Sequence, residues 1–371
     1  MLLLLACTTP DATSTPEPLD LPEDPAEEGV PVGVTTVIDG DHTYEVWYPA
    51  SDSTTGASES PNFDQFLPTS FTDHVGDVHF PTWDSGAVRD APLRVPEAPY
   101  PVVFFSHGFG GMRLQSLDYT THLASRGYVV IAPDHPGRMM GDVLPCMFSP
   151  PLEGCDLSGF GADDPAEDDL EDALTWMDAA AADGFFAGAL DTTHIGLSGH
   201  SAGAGSTVAS GDAEERYTAL LPMAGYGAPA RDVPTLLMGG TCDSFALDAE
   251  STTYADQLLD GGLVRVLDAG HLAFSDLCQL ELAANADAWL TGRDDLNEST
   301  YALLLQLATD GCPDAAVPQP DICDAEAFLP LETSAPIIRH YSTVFFDAEL
   351  KGSGAGAQAG VFPEADVQSR L

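Results

Sequence analysis

The sequence predicts an α/β fold: a mostly parallel central sheet with helices on both faces. Three observations carry that expectation. Short apolar runs alternate with segments of helical period between about residues 100 and 267, and that order builds a parallel sheet covered on both sides. The apolar run Pro101 to Phe105 leads straight into Ser106-His107-Gly108-Phe109-Gly110-Gly111. A second run, from Ile195, leads into Gly199-His200-Ser201-Ala202-Gly203 and then a small-residue helix start. In that spelling a serine sits on a sharp strand-to-helix turn, and the flanking glycines lack the side chains that would collide there.

In chain order, residues 1–6 and Cys7 come first. Leu4-Leu5-Ala6-Cys7 reads as a truncated lipoprotein-type signal, with Cys7 as the lipidation site. Residues 7–29 are rich in Thr, Pro, Asp and Glu and read as a tether. Residues 30–351 form the expected catalytic domain, and residues 352–371 a flexible tail. Tyr44 to Tyr48 reads as an opening strand. Asp64 to Arg94 has no clear period and reads as an irregular insertion. Asp118 to Arg126 reads as a helix and Tyr128 to Ala132 as a buried strand. Arg138 to Asp164, rich in Pro, Gly and Met, reads as a cap or rim loop. Asp168 to Ala182 is helical, with Leu170, Ala173, Leu174 and Met177 on one face. Beyond the serine turn, strands are expected at 219–224, 235–239 and 263–267, and helices at 249–259, 281–290 and 337–350.

Composition narrows the function. The chain has 371 residues, with 12 Lys+Arg against 59 Asp+Glu, a net charge of −47. Such a surface repels phosphate backbones and anionic membranes, so no nucleic-acid partner is expected and any membrane contact would come from the N-terminal anchor. No cofactor fingerprint or metal-ligand spacing is present, and none is expected. Seven cysteines leave six once Cys7 is set aside. Six allow fifteen pairings. Neighbour pairing gives Cys146–Cys155, Cys242–Cys278 and Cys312–Cys323, and disulfides fit an exported chain, secreted or anchored as a periplasmic or outer-membrane lipoprotein.

The chemistry gathers at the ends of strands. Ser201 is the candidate nucleophile. The strand at 235–239 ends in Gly240-Thr241-Cys242-Asp243, and the strand at 263–267 ends before Ala269-Gly270-His271. Ser201, Asp243, His271 is the order in which a nucleophile, an acid and a general base follow one another on this architecture. Asp248, Asp256 and Asp268 are rival acids. The Phe109 and Ala202 N–H groups are the expected oxyanion hole, with Gly108 and Gly110 allowing close backbone approach. His107 and His200 flank the site as structural or pocket residues.

Together these motifs resemble bacterial α/β-hydrolases of the dienelactone hydrolase-like group, and within it platelet-activating-factor acetylhydrolase-like and polyester hydrolase (cutinase)-like enzymes. Trp47-Tyr48-Pro49, the Phe105–Gly111 and Ile195–Gly203 stretches, Cys242-Asp243-Ser244, Gly270–Asp276 and Phe345–Gly352 carry the resemblance. Dienelactone hydrolases have cysteine where this chain has Ser201. Animal acetylhydrolases place the acid one strand earlier, where this chain has Ala224-Gly225. Polyester hydrolases match Asp243 and tie the acid and base loops together, which favours Cys242–Cys278. The resemblance implies a serine esterase for short-chain, phospholipid-like or polymeric esters, with Phe109 as one pocket wall, and the chain is expected to be a monomer. A lipase, a serine peptidase and a silent binding protein on the same fold are the alternatives. A generic esterase assay separates the last from the rest.

Overall fold

The computed structural model describes residues 29–95, 97–159, 166–281, 285, 289, 292–299, 302, 309–312, 321–353 and 362–369. The expected signal, Cys7, most of the tether and most of the 281–290 helix lie outside these residues.

The chain opens with an antiparallel hairpin, β1 (Val32–Asp39) and β2 (His42–Pro49). A short edge strand, β3 (Ala87–Arg89), runs parallel to β1. The central strands β4 (Tyr100–Ser106), β5 (Val129–Pro133), β6 (Leu190–His200), β7 (Tyr217–Met223), β8 (Thr235–Gly240) and β9 (Gly261–Val266) are mutually parallel. A last strand, β10 (Ala365–Ser369), adds antiparallel to β9. The sheet order is β10-β9-β8-β7-β6-β4-β5-β2-β1-β3. Every residue of β5, β7 and β8 except Thr218 is buried, which explains their unbroken apolar runs.

Two hydrophobic clusters sandwich the sheet. One packs α2 (Leu117–Ser125) and α7 (Leu331–Lys351) through Leu117, Leu123, Ile337, Tyr341 and Phe345. The other packs α4 (Ala166–Ala182) through Leu170, Ala173, Leu174 and Met177, the face expected from its periodicity. Between β6 and β7 runs α5 (Ala202–Ala213), and between β8 and β9 the shorter α6 (Asp248–Ala255).

The structure corrects several expectations. The 64–94 insertion is ordered: it holds a 3-10 turn at Phe63–Phe66, α1 (Thr69–Val75) and β3, and Phe71 packs edge-on against Trp289 at 5.4 Å. The C-terminal tail is not wholly loose, because β10 seals the β9 edge and turns Ala365 and Val367 onto the core. Five residues behind a Gly/Ala-rich stretch are too short a pattern to stand out. Within 138–164, α3 (Met140–Val143) and a 3-10 turn at Leu144–Met147 are pinned by Cys146–Cys155. That pair is as expected, but the other two are not. Cys242 bonds to Cys312, and Cys278 bonds to Cys323. Among the described residues no disulfide joins the Asp243 loop to the His271 loop. Each is tied instead to a cysteine between Leu280 and Leu331, Cys312 for one loop and Cys323 for the other.

Candidate active site

Ser201 caps α5 at the end of β6 with φ 59° and ψ −118°, a left-handed conformation that a side-chain-bearing residue adopts at a cost. The turn is this tight because its neighbours have no Cβ. A Cβ on Gly199 would meet the Gly203 carbonyl, and one on Gly203 would meet the Ser106 carbonyl. The Ser201 N–H donates to Met223 O at 3.0 Å, which fixes the turn on β7.

The structure brings the three expected residues together. His271 Nε2 lies 2.8 Å from Ser201 Oγ, and His271 Nδ1 lies 2.8 Å from Asp243 Oδ2. The other Asp243 oxygen accepts the Phe245 and Ala246 N–H groups, both at 2.8 Å. The carboxylate is therefore fixed at both oxygens, and the ring beside it carries its proton on Nδ1 with Nε2 facing the serine. Burial pushes the His271 pKa down, but the charge and hydrogen bond of Asp243 and the charge of Asp310 outweigh it and leave it raised. The rival acids are elsewhere. Asp248 forms a bidentate pair with Arg265 at 2.6 and 2.7 Å, Asp256 ends α6, and Asp268 occupies a positive-φ turn.

The glycine loop after β4 lies against the serine, with the Gly108 Cβ position 3.1 Å from Ser201 Cβ. Its backbone is heavily anchored. Gly108 N–H donates to Gln115 Oε1 at 2.9 Å, Gly110 N–H to Arg138 O at 2.7 Å, and Gly111 N–H to Gly108 O at 3.0 Å. Gly110 needs its freedom, at φ 72°. Phe109 is half-buried at the loop tip, and Ala202 opens α5, where the first N–H groups of a helix have no intrahelical acceptor.

His107 and His200 are not pocket residues. Both are buried, and both are pushed to a pKa of about 3, His107 by burial and Arg138, His200 by burial and His271. Each is neutral with a tautomer set by its partners. His107 Nδ1–H donates to Gly108 O at 2.8 Å while Nε2 accepts the His135 N–H. His200 Nε2–H donates to His271 O at 2.9 Å, and its Nδ1 accepts from Gln115 Nε2 at 3.0 Å. Gln115 and His200 thus link the glycine loop to the His271 backbone in one chain of hydrogen bonds.

Sequence reasoning missed several residues. Gln115 follows the glycine motif by four positions with nothing in its surroundings to mark it. Behind the loop, Ser106 Oγ lies 3.0 Å from His135 Nε2, and His135 Nδ1 lies 2.9 Å from Asp169. This repeats the nucleophile–base–acid pattern in a place with no solvent. The wholly buried Arg138 donates there to Ser106 Oγ and to His107 O, both at 2.8 Å, so the group acts as an anchor for the glycine loop. Asp310 is the other residue missed, and nearby Cys312 was the only mark on that stretch. A cleft of about 800 Å³ lined by Arg94, Tyr100, His194 and Lys351 sits at the opposite end of the strands, away from Ser201.

Comparison with known proteins agrees with this architecture. Residues 34–140 match the family model described as platelet-activating factor acetylhydrolase, isoform II. Among solved structures, the chain is similar to a ferulic acid esterase from Streptomyces cinnamoneus, with 21% identity, a TM-score of 0.60, and coverage of 91% of this chain and 96% of that one. The chain has the α/β-hydrolase fold, as the sequence predicts.

Proposed function

We propose that this chain is a serine hydrolase of carboxylic esters that works through an acyl-enzyme. The observation that carries the reading is the relay from Ser201 Oγ to His271 Nε2 and from His271 Nδ1 to Asp243, at 2.8 Å for each link, on a strained turn. Ser201 Oγ attacks the ester carbonyl carbon while its proton passes to His271 Nε2. The carbonyl oxygen becomes an oxyanion, held by the Phe109 and Ala202 N–H groups, each contributing about 3 kcal/mol. The intermediate collapses, the alcohol leaves with the proton from His271, and the acyl group stays on Ser201. Water then attacks by the same route, and the acid is released. Asp243 keeps the ring in its working tautomer and stabilises the imidazolium. The matched acetylhydrolase model and the esterase neighbour support ester over amide cleavage.

The rim and the charge support a reading of the substrate class. Half-buried Phe245 lies 5.0 Å from the His271 ring, and the exposed Tyr226 and Leu247 belong to the loops that follow β7 and β8. These apolar groups, in a chain of net charge −47, favour neutral or zwitterionic esters. The three disulfides support an exported protein, and a lipid anchor at Cys7 with the 7–29 tether belongs to the same proposal. Among the described residues no helix is long and apolar enough to cross a membrane.

The test is Ser201→Ala assayed with p-nitrophenyl acetate. Turnover is expected to fall by at least about three orders of magnitude with the melting temperature unchanged. Parent-like turnover in that variant would end the assignment. A panel of short-acyl, long-acyl, phospholipid, polyester and feruloyl esters then identifies the substrate.

A further inference from the structure

The segment between Leu280 and Leu331 brings a second carboxylate to the site. Asp310 is wholly buried. Its Oδ1 accepts the N–H of Ser244 at 2.7 Å and of Gly311 at 2.9 Å, and its Oδ2 accepts the N–H of His271. Ser244 directly follows the acid, and His271 is the base, so one carboxylate grips the backbone of both loops. The grip requires Gly270, because a Cβ there would lie 2.7 Å from Asp310 Oδ2 and 3.2 Å from the Phe328 ring. Two residues on, Cys312 is bonded to Cys242, the residue before Asp243. The acid loop is thus clamped to this segment on both sides of Asp243, covalently before it and by Asp310 after it. Among the described residues no Arg or Lys pairs with Asp310, so its charge is answered by backbone N–H groups and by whatever charge His271 acquires.

Resting on the esterase reading above, we propose that Asp310 is a positioning residue of the Ser201–His271–Asp243 relay. It holds the acid and base loops in register, and its charge adds to that of Asp243 in stabilising the imidazolium formed when His271 takes the serine proton. The groups that face His271 are Asp243 from the loop after β8, Asp310 from the 281–330 segment, neutral His200 and Ser201 from the end of β6, and the uncharged Phe245 ring. Only the two carboxylates favour the protonated ring.

Asp310→Asn removes the charge and keeps an acceptor oxygen. It is expected to lower kcat about ten- to a hundredfold, the size of one charge-assisted hydrogen bond, with KM nearly unchanged because Asp310 touches no substrate. The acidic limb of the kcat/KM profile should move to lower pH, since a ring with one negative neighbour fewer gives up its proton more readily. An NMR titration of the His271 ring should move the same way, and it does not depend on any ester being turned over. A lowered melting temperature with parent-like limb and titration would make Asp310 merely structural and overturn the proposal. If Asp310→Asn does not fold, the Cys242→Ser/Cys312→Ser pair, which loosens the same carboxylate without removing it, should shift limb and titration in the same direction, and no shift would overturn the proposal. A parent inactive on every ester would count against the esterase reading alone, and the ring titration would still judge Asp310.

Discussion

Ser201 and Asp243 are placed by opposite means. The serine is held by strain, in a positive-φ turn that its glycine neighbours permit, while the aspartate is held by saturation, with hydrogen bonds at both oxygens. Saturation makes the acid sensitive to its chemical identity. Asp243→Asn turns an acceptor into a donor facing Nδ1–H, which forces the ring into the wrong tautomer and should reduce turnover about 10⁴-fold. Asp248→Asn only loosens a half-exposed pair with Arg265 and should leave turnover within about twofold of the parent. Steady-state rates of the two variants check this, and a larger loss in Asp248→Asn would mean that the acid has been misassigned. The meeting of Ser201, His271 and Asp243 was legible in the sequence because each follows within a few residues of an apolar strand in a fixed chain order. Gln115, Arg138, Asp169 and Asp310 were not, because buried polar partners are chosen by three-dimensional proximity and leave no period or spacing behind.

At the scale of elements, the parallel strands were the most readable, since a strand buried on both faces is an unbroken apolar run. β3 and β10 escaped notice because edge strands are short and half polar. Two of the three disulfides were misread because nearness in sequence is a poor guide to pairing: Cys242 bonds to a partner 70 residues on and Cys278 to one 45 residues on. Their energetics should be graded. Cys242–Cys312 and Cys278–Cys323 close loops of 70 and 45 residues, against 9 for Cys146–Cys155. Chain-entropy arithmetic gives about 4 kcal/mol for each long loop and about 2.5 kcal/mol for the short one, and the long loops overlap, so their contributions do not simply add. Cys278→Ser/Cys323→Ser should therefore lower the melting temperature more than Cys146→Ser/Cys155→Ser. It should also reduce turnover, because it frees the loop that carries His271. Thermal unfolding and initial rates of the two double variants decide the matter, and equal effects would refute the grading.

Across the whole molecule, negative charge far outweighs positive. The few cations are held in ion pairs: Arg89 and Arg113 with buried Glu45, and Arg94, Arg216, Arg265 and Arg339 with carboxylates nearer the surface. Most of the −47 charge is left to repel itself. Salt that shortens the Debye length from about 30 Å to about 3 Å should therefore raise the melting temperature. It should also lower KM for an anionic ester and leave KM for a neutral one unchanged. Melting curves and two substrate series between about 0.01 and 1 M NaCl test both effects, and a melting temperature that falls with salt would show that ion pairs outweigh the repulsion.

The final strand has a consequence in time. β10 is made about a hundred residues after β9, its partner, so β9 first emerges with one side of its hydrogen-bonding ladder bare. Until residues 365–369 fold back onto it, that ladder is open to a strand from another chain. Whether that edge of the sheet is closed to a second chain is therefore decided by β10.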